Sequence, residues 1–371
     1  MYKKKLKDRI SNILRSESNI SFEDLCKKSL GAFPFIIHSL LNKEQKQRFS
    51  NYLRPTILEN KQLLPSENPA NYDWRFTEKT NINLFEKIKG KNYRIALFGT
   101  PSLYLELFKN NENVHLFDIN SILTRYLPQK KNIHIVDLST HVFNESNEFD
   151  CVLMDPPWYS NYYEKWISQA NLITKRDGLI YTSLFQELLR PEAKKQRLNI
   201  ISNLTSIGNI EIHKNFLNYK TPQFEKEVFD YYNIPIYNNW RVADLIKVRN
   251  EVKLTKMETL SNMKDTWMRF EINEISISLK NENRSNKIHI KSPYKNGDSL
   301  LKSISLRNEI KNEVNLITSQ NKGYIVSGTK KLASVLREIE KGLSLEAICE
   351  EHNLNKDEFN QVSNFLNTIS T

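Results

Sequence analysis

Between residues 92 and 248 the chain alternates short runs of β-branched and aliphatic residues with longer segments of helical periodicity. Few folds accept that rhythm. Seven runs stand out, at 93–98, 114–117, 133–136, 151–154, 179–182, 210–213 and 242–248. All but 210–213 are apolar at most positions rather than at every second one, the condition of a strand buried on both faces in a largely parallel sheet with helices on either side. The expectation is an α/β, Rossmann-like domain spanning residues 61–250. In such sheets ligands bind beyond the carboxyl ends of the strands, so the residues that follow each run are where chemistry is expected.

The flanks are different. Leu6, Ile10, Ile13 and Leu14 make one apolar stripe, and Ser21 stands where it would cap a second helix carrying Phe22, Leu25 and Leu30. Residues 1–60 therefore read as a small helical module, of a size with winged-helix units. A proline-bearing connector over 53–74 leads out of it. Within the central region, residues 218–239 carry four Tyr and two Phe and look the least helical. Beyond a linker near 255–265, WMRFEINEISISLK and NKIHIKS alternate apolar with polar residues, so residues 265–371 read as an α+β region. It ends in helical segments over 329–341, 344–352 and 356–366, with a turn at Asn353-Leu354-Asn355. That pattern is either a helix-turn-helix-like unit or a hairpin that packs on its own domain.

The strongest chemical signal is FDCVLMDPPWYS, where an apolar strand ends in Asp155 and two prolines and two aromatics follow. Pro156 and Pro157 cannot extend a ladder, so the chain must leave the sheet there in an extended turn. Asp155 and the Pro156 carbonyl then stand as acceptors at the ligand edge of the sheet. Two acceptors that hold the N–H groups of an exocyclic amine favour a pyramidal nitrogen, with its lone pair free for attack. Trp158 and Tyr159 supply flat faces on which a base can stack, worth ~1–3 kcal/mol per base.

Three further strand ends complete a constellation. The first run leads into Gly99-Thr100-Pro101-Ser102; nineteen residues past Gly99 stands Asp118, and nineteen further on Asp137, each directly after an apolar run. A strand-terminal acid at the second position can accept both hydroxyls of a ribose. Either acid could equally be a helix cap.

DPPW resembles the [DNS]-P-P-[YFW] hallmark of amino-methyltransferases that act on adenine N6, and residues 74–248 are similar to the probable N6-adenine methyltransferases. The resemblance implies a seven-stranded class I methyltransferase sheet and S-adenosyl-L-methionine as cofactor. It implies that Phe98, Gly99, Thr100, Pro101, Asp118, Asp137 and Asp155 hold that cofactor, with Asp137 against the adenine amino group. Asp155, Pro156, Pro157 and Trp158 would carry catalysis, and Trp158 and Tyr159 would receive the substrate. Trp74, Arg75, Phe76 and Thr77 would pack on the methionine end. The first loop departs from the family pattern, with Gly99 alone where GxGxG is usual. Some proteins bearing this motif methylate protein lysine or glutamine instead, and a chain with one glycine in that loop could also serve as a binding or scaffold subunit.

The bulk properties agree with a nucleic-acid partner without requiring it. Lys+Arg number 54 against 43 Asp+Glu, a formal charge of +11 that favours acidic partners. Abundant Lys, Asn and Ile are equally the mark of an AT-rich genome. The terminal modules are where a protein partner would dock. Cys26, Cys151 and Cys349 form no CxxC pair, and no HExxH, P-loop or GxSxG pattern occurs, so the sequence points to no metal and no covalent nucleophile. With no apolar segment long enough to span a bilayer, the expected location is cytoplasmic.

Overall fold

The computed structural model describes residues 1–50, 63–88, 93–144, 146–254, 267–282, 285–303, 305 and 309–370. Both boundaries expected between modules, at 60/61 and across 250–265, touch residues outside that set.

The opening module is four helices, α1 (Tyr2–Ser16), α2 (Phe22–Lys28), α3 (Pro34–Leu40) and α4 (Lys43–Ser50). Ser21 caps α2 as its position predicts, accepting from Asp24 N–H at 3.1 Å. Residues 1–50 contain no strand, so a winged-helix reading finds no wing there. Leu6, Ile10, Phe22, Leu25 and Ile37 pack in one cluster with Phe229 and Trp240 of the central domain. The join is also polar. Buried Glu23 accepts from the N–H groups of Tyr237 and Asn238 at 2.8 and 3.1 Å.

The central domain runs α5 (Glu78–Ile88), β1 (Ile95–Phe98), α6 (Pro101–Phe108), β2 (Val114–Asp118), α7 (Leu123–Tyr126), β3 (Ile133–Ile135) and β4 (Phe149–Met154). It continues with α8 (Ser160–Ile173), β5 (Thr174–Leu184), α9 (Ala193–Thr205), β6 (Ile210–Asn218), α10 (Gln223–Tyr231) and β7 (Val242–Arg249). All seven expected strands are present, in the order β3-β2-β1-β4-β5-β7-β6, with β7 antiparallel to both neighbours. Alternate residues of the central strands feed two cores. Leu97, Leu116 and Leu153 face α5 and α6, whereas Phe98, Phe117, Val152 and Met154 face α8 and α9.

Residues 218–239 correct the sequence reading, because α10 lies within them. Its Phe224 and Val228, four apart, are buried with Phe229, so these two phenylalanines lie on the inner face of a helix, while Tyr231 of the same helix is exposed. Composition concealed the spacing.

The C-terminal region holds β8 (Trp267–Ile272), β9 (Ile275–Lys280), β10 (His289–Lys291), α11 (Glu309–Glu313), β11 (Leu316–Thr318), β12 (Gly323–Ser327), α12 (Thr329–Glu340), α13 (Leu345–Glu351) and α14 (Lys356–Ser370). Its five strands form an antiparallel sheet ordered β10-β12-β11-β9-β8. The three last helices pack on that sheet through Leu332, Leu336, Ile348, Val362 and Phe365, so they belong to the core of their own domain. Sequence reading did not find β11, β12 or α11, each only three to five residues long. Cys26 and Cys151 are buried as expected, while Cys349 is only partly so.

Candidate active site

Strand register assembles the site. Phe98 pairs with Phe117 on one side and Met154 on the other, so the residues that follow, Gly99, Asp118 and Asp155, leave the sheet in one row. Asp118 pairs with Ile135, which brings Asp137 alongside two residues later. A cavity of about 400 Å³ opens beyond this row, and Gly99, Pro101, Asp118, Asp137 and Asp155 all line it.

Gly99 has φ +65°, and a Cβ there would stand 3.0 Å from the Trp166 ring. Its N–H is tied to Phe117 O at 3.0 Å, and Asp155 N–H to Phe98 O at 3.1 Å. One glycine thus lets the backbone turn sharply against an aromatic floor. Phe98 and Thr100 are placed differently from the expected cofactor contacts. The Phe98 ring is fully buried between Phe117, Phe143 and Trp166, and Thr100 is buried at the start of α6.

Asp118 and Asp137 each accept, through Oδ1, the N–H two residues on, from Asn120 and Ser139, both at 2.8 Å. These turns fix one oxygen of each acid and leave the other available. Burial pushes the Asp118 carboxyl up to about 7, with a further rise from Asp73 opposite it. Asp73 lines the same cavity and takes a two-pronged contact from buried Arg75, at 3.1 and 2.8 Å. Two buried amide groups on this wall, Asn71 Nδ2 and Asn120 Nδ2, have no hydrogen-bond partner among the described residues. Such groups are costly unless something polar occupies the cavity.

A second cavity of about 300 Å³ adjoins the first, and Tyr72, Asp155 and Pro157 line both. Trp74, Trp158, Tyr159 and Tyr219 give it aromatic walls, with Arg190 and Arg241 between them. Tyr219 Oη donates to Asp155 Oδ1 at 2.9 Å. Burial raises the Asp155 carboxyl to about 7, against the opposing pull of hydrogen bonds from Ser183 and Tyr219. The Trp158 carbonyl accepts from Arg190 at 2.6 Å. Arg241 lies 4.8 Å from the Trp74 ring centre and 5.0 Å from that of Trp158, and its charge is balanced by buried Glu225. The Pro156 carbonyl takes part in no hydrogen bond among the described residues.

The segment expected on the methionine end divides. Trp74 turns to the second cavity, Arg75 is held by Asp73 and by Pro65 O at 2.6 Å, Phe76 packs on Tyr219, and Thr77 bonds at the start of α5. Sequence reading missed Asp73, Arg190, Tyr219 and Arg241. Each is brought in from a loop or strand remote in the chain, and none sits in a motif. It also missed the outer domains' share, Phe33 and Ile36 at the second cavity and Trp267, Lys280 and Glu282 at the first.

Sheet order and the acid-tipped row define the fold class, a Rossmann-like sheet of the class I methyltransferase type. Residues 71–241 match the family described as "Probable N6-adenine methyltransferase". A branched-chain polyamine synthase from Thermus thermophilus, solved with N4-aminopropylspermidine and 5′-methylthioadenosine, shares 12% identity. It superposes with a TM-score of 0.51 over 70% of this chain and 91% of its own. A 16S rRNA methyltransferase from the same organism, in complex with AdoMet and guanosine, has 11% identity and a TM-score of 0.32 over 56% of this chain and 47% of its own. At these identities the likeness is one of fold. No curated protein matches the chain in sequence. No helix among the described residues is long and apolar enough to cross a membrane.

Proposed function

We propose that the protein is an S-adenosyl-L-methionine-dependent N-methyltransferase that acts on the N6 amine of adenine in DNA or RNA. The observation that carries this reading is the meeting of two cavities at Asp155 and Pro157, one rimmed by carboxylates and one walled by aromatic rings. The first cavity fits the cofactor. Asp118 is set to accept the ribose hydroxyls and Asp137 the adenine amino group, Gly99 lets the backbone approach closely, and two unpartnered amides await acceptors. When bound, the cofactor supplies a methyl group on a sulfonium, transferred by direct displacement.

The chain's own residues prepare the acceptor. Tyr219 orients the Asp155 carboxylate through Oδ1, and that carboxylate and the Pro156 carbonyl are the acceptors for the two amine N–H groups. Holding both draws the nitrogen lone pair out of conjugation and aims it across the shared wall. After transfer the nitrogen must lose a proton, and a carboxyl that titrates near 7 can take it at neutral pH. Trp158, Tyr159 and Trp74 offer faces for an unstacked base. Two arginines and a single carboxylate in the second cavity suit a neutral heterocycle better than a lysine ammonium, which disfavours the protein-lysine alternative.

The test begins with isothermal titration of S-adenosylhomocysteine into the wild-type chain and Asp118→Ala. Labelled methyl transfer to adenine-bearing single-stranded DNA and RNA, and to lysine peptides, follows. Expected are cofactor binding that Asp118→Ala weakens at least tenfold, and N6-methyladenine after nucleoside digestion that Asp155→Ala abolishes. Label on lysine, or cofactor binding with no transfer to nucleic acid, would overturn the substrate reading. Absence of binding by the folded chain would overturn the enzyme reading.

A further inference from the structure

The first cavity is not made by the central domain alone. Its outer wall is the edge of the second sheet, where Trp267 of β8 pairs with Lys280 of β9 and the Lys280 ammonium lies 5.1 Å from the Trp267 ring centre. Directly after β9 the chain makes a tight turn, with Glu282 N–H donating to Lys280 O at 3.0 Å, and both side chains line the cavity. The wall is fastened to the central domain close by. Arg269 of β8 donates to Asn71 Oδ1 at 2.9 Å, which orients the Asn71 amide whose Nδ2 has no partner among the described residues.

Charge decides what this wall can meet. The other charged side chains lining the cavity are Asp73, Asp118, Asp137 and Asp155, so Lys280 is its only cation among the described residues. Arg75 does not change this, because its guanidinium is taken up by Asp73, Pro65 O and Glu67. An S-adenosyl amino acid carries a single carboxylate, at the end of its tail, with an α-ammonium beside it. Four aspartates would repel that carboxylate, whereas Lys280 and the Asn71 amide attract it, and Glu282 is placed to meet the ammonium.

We propose that Lys280 and Glu282 of the C-terminal domain bind the zwitterionic amino-acid tail of the cofactor, Lys280 pairing with the carboxylate and Glu282 with the α-ammonium. The cofactor site is then completed by the C-terminal domain, and these two residues set its preference for a cofactor that carries an amino-acid tail. The inference rests on the cofactor reading above.

Titration calorimetry of the full chain with two probes tests it. S-adenosylhomocysteine has the tail, and 5′-methylthioadenosine has the same nucleoside without it. Lys280→Met is expected to weaken S-adenosylhomocysteine at least tenfold, the scale of a charge-assisted hydrogen bond, while methylthioadenosine binding stays within about twofold. Glu282→Gln should weaken S-adenosylhomocysteine in the same selective way, and Lys280→Arg should restore most of the loss. Unchanged S-adenosylhomocysteine affinity in Lys280→Met, or an equal loss for both probes, would overturn the proposal. If wild-type protein bound neither probe, the failure would lie with the cofactor reading itself.

Discussion

Asp155 and Asp118 each end an apolar run, yet the cavity gives both a property no spacing encodes, a carboxyl raised to about 7 mainly by burial. Unfolded, both titrate near pH ~4. Between those values the folded chain binds more protons than the unfolded one. Their contribution to ligand-free stability is therefore greatest below about pH 4 and is lost as pH rises through 7. For catalysis the sign is opposite, because Asp155 must be ionised to accept the amine. The rate should climb with pH along a limb centred near 7. Tyr219 donates to Asp155 and holds its carboxyl down, so Tyr219→Phe should move that limb to higher pH. A pH–rate profile of the two proteins checks this, and an unmoved limb would assign it to another group. Gly99 offers a second prediction at this scale. Gly99→Ala must hold φ +65° with its Cβ 3.0 Å from Trp166, and should cost roughly 1–2 kcal/mol in a urea titration. Cofactor affinity should fall with it.

Helix α10 shows how an element can be written in the sequence yet concealed. Phe224, Val228 and Phe229 face inward, but the tyrosines around them mask the period. The helix brings Glu225 under Arg241, where Trp240 Nε1 also donates to Glu225 at 3.2 Å. Glu225 and Arg241 are both buried, so removing the acid strands a cation between three indole rings. Glu225→Ala should destabilise the protein by about 3 kcal/mol or more. Chemical denaturation of the variant measures this, and a loss under ~1 kcal/mol would mean that water or a neighbour takes the place of the acid. Among the strands, the parallel ones were legible because burial leaves runs that are mostly apolar. Short β11 and β12 were not, since three to five residues carry too little pattern to stand out.

Across the whole molecule, the opening helices, the seven-stranded sheet and the second sheet converge on two cavities. The helical module reaches the acceptor cavity through Phe33 and Ile36, and the second sheet reaches the cofactor cavity through Trp267, Lys280 and Glu282. Tyr126 donates to Glu271 at 2.6 Å and Arg125 pairs with Glu340 at 2.8 Å, so the C-terminal domain is also fastened beside β2. A ligand held between domains should stiffen both. Saturating S-adenosylhomocysteine is expected to slow amide hydrogen exchange at residues 278–282 as well as at 99–101 and 118–120. Slowing confined to the central domain would show that the cofactor is held there alone.

The sequence by itself determined the seven strands of the central sheet, the helical stripe of the opening module and the acids at the strand ends. These features are local, since burial dictates hydrophobic period and a strand end is visible wherever an apolar run stops. Only the tertiary structure decided which of those residues share a cavity. It turned Phe98 into the core, gave Trp74 to the second cavity, and brought Asp73, Tyr219, Arg241 and Lys280 to the site from distant parts of the chain. Such residues are chosen by packing between elements, and packing leaves no periodic trace in the chain that makes it.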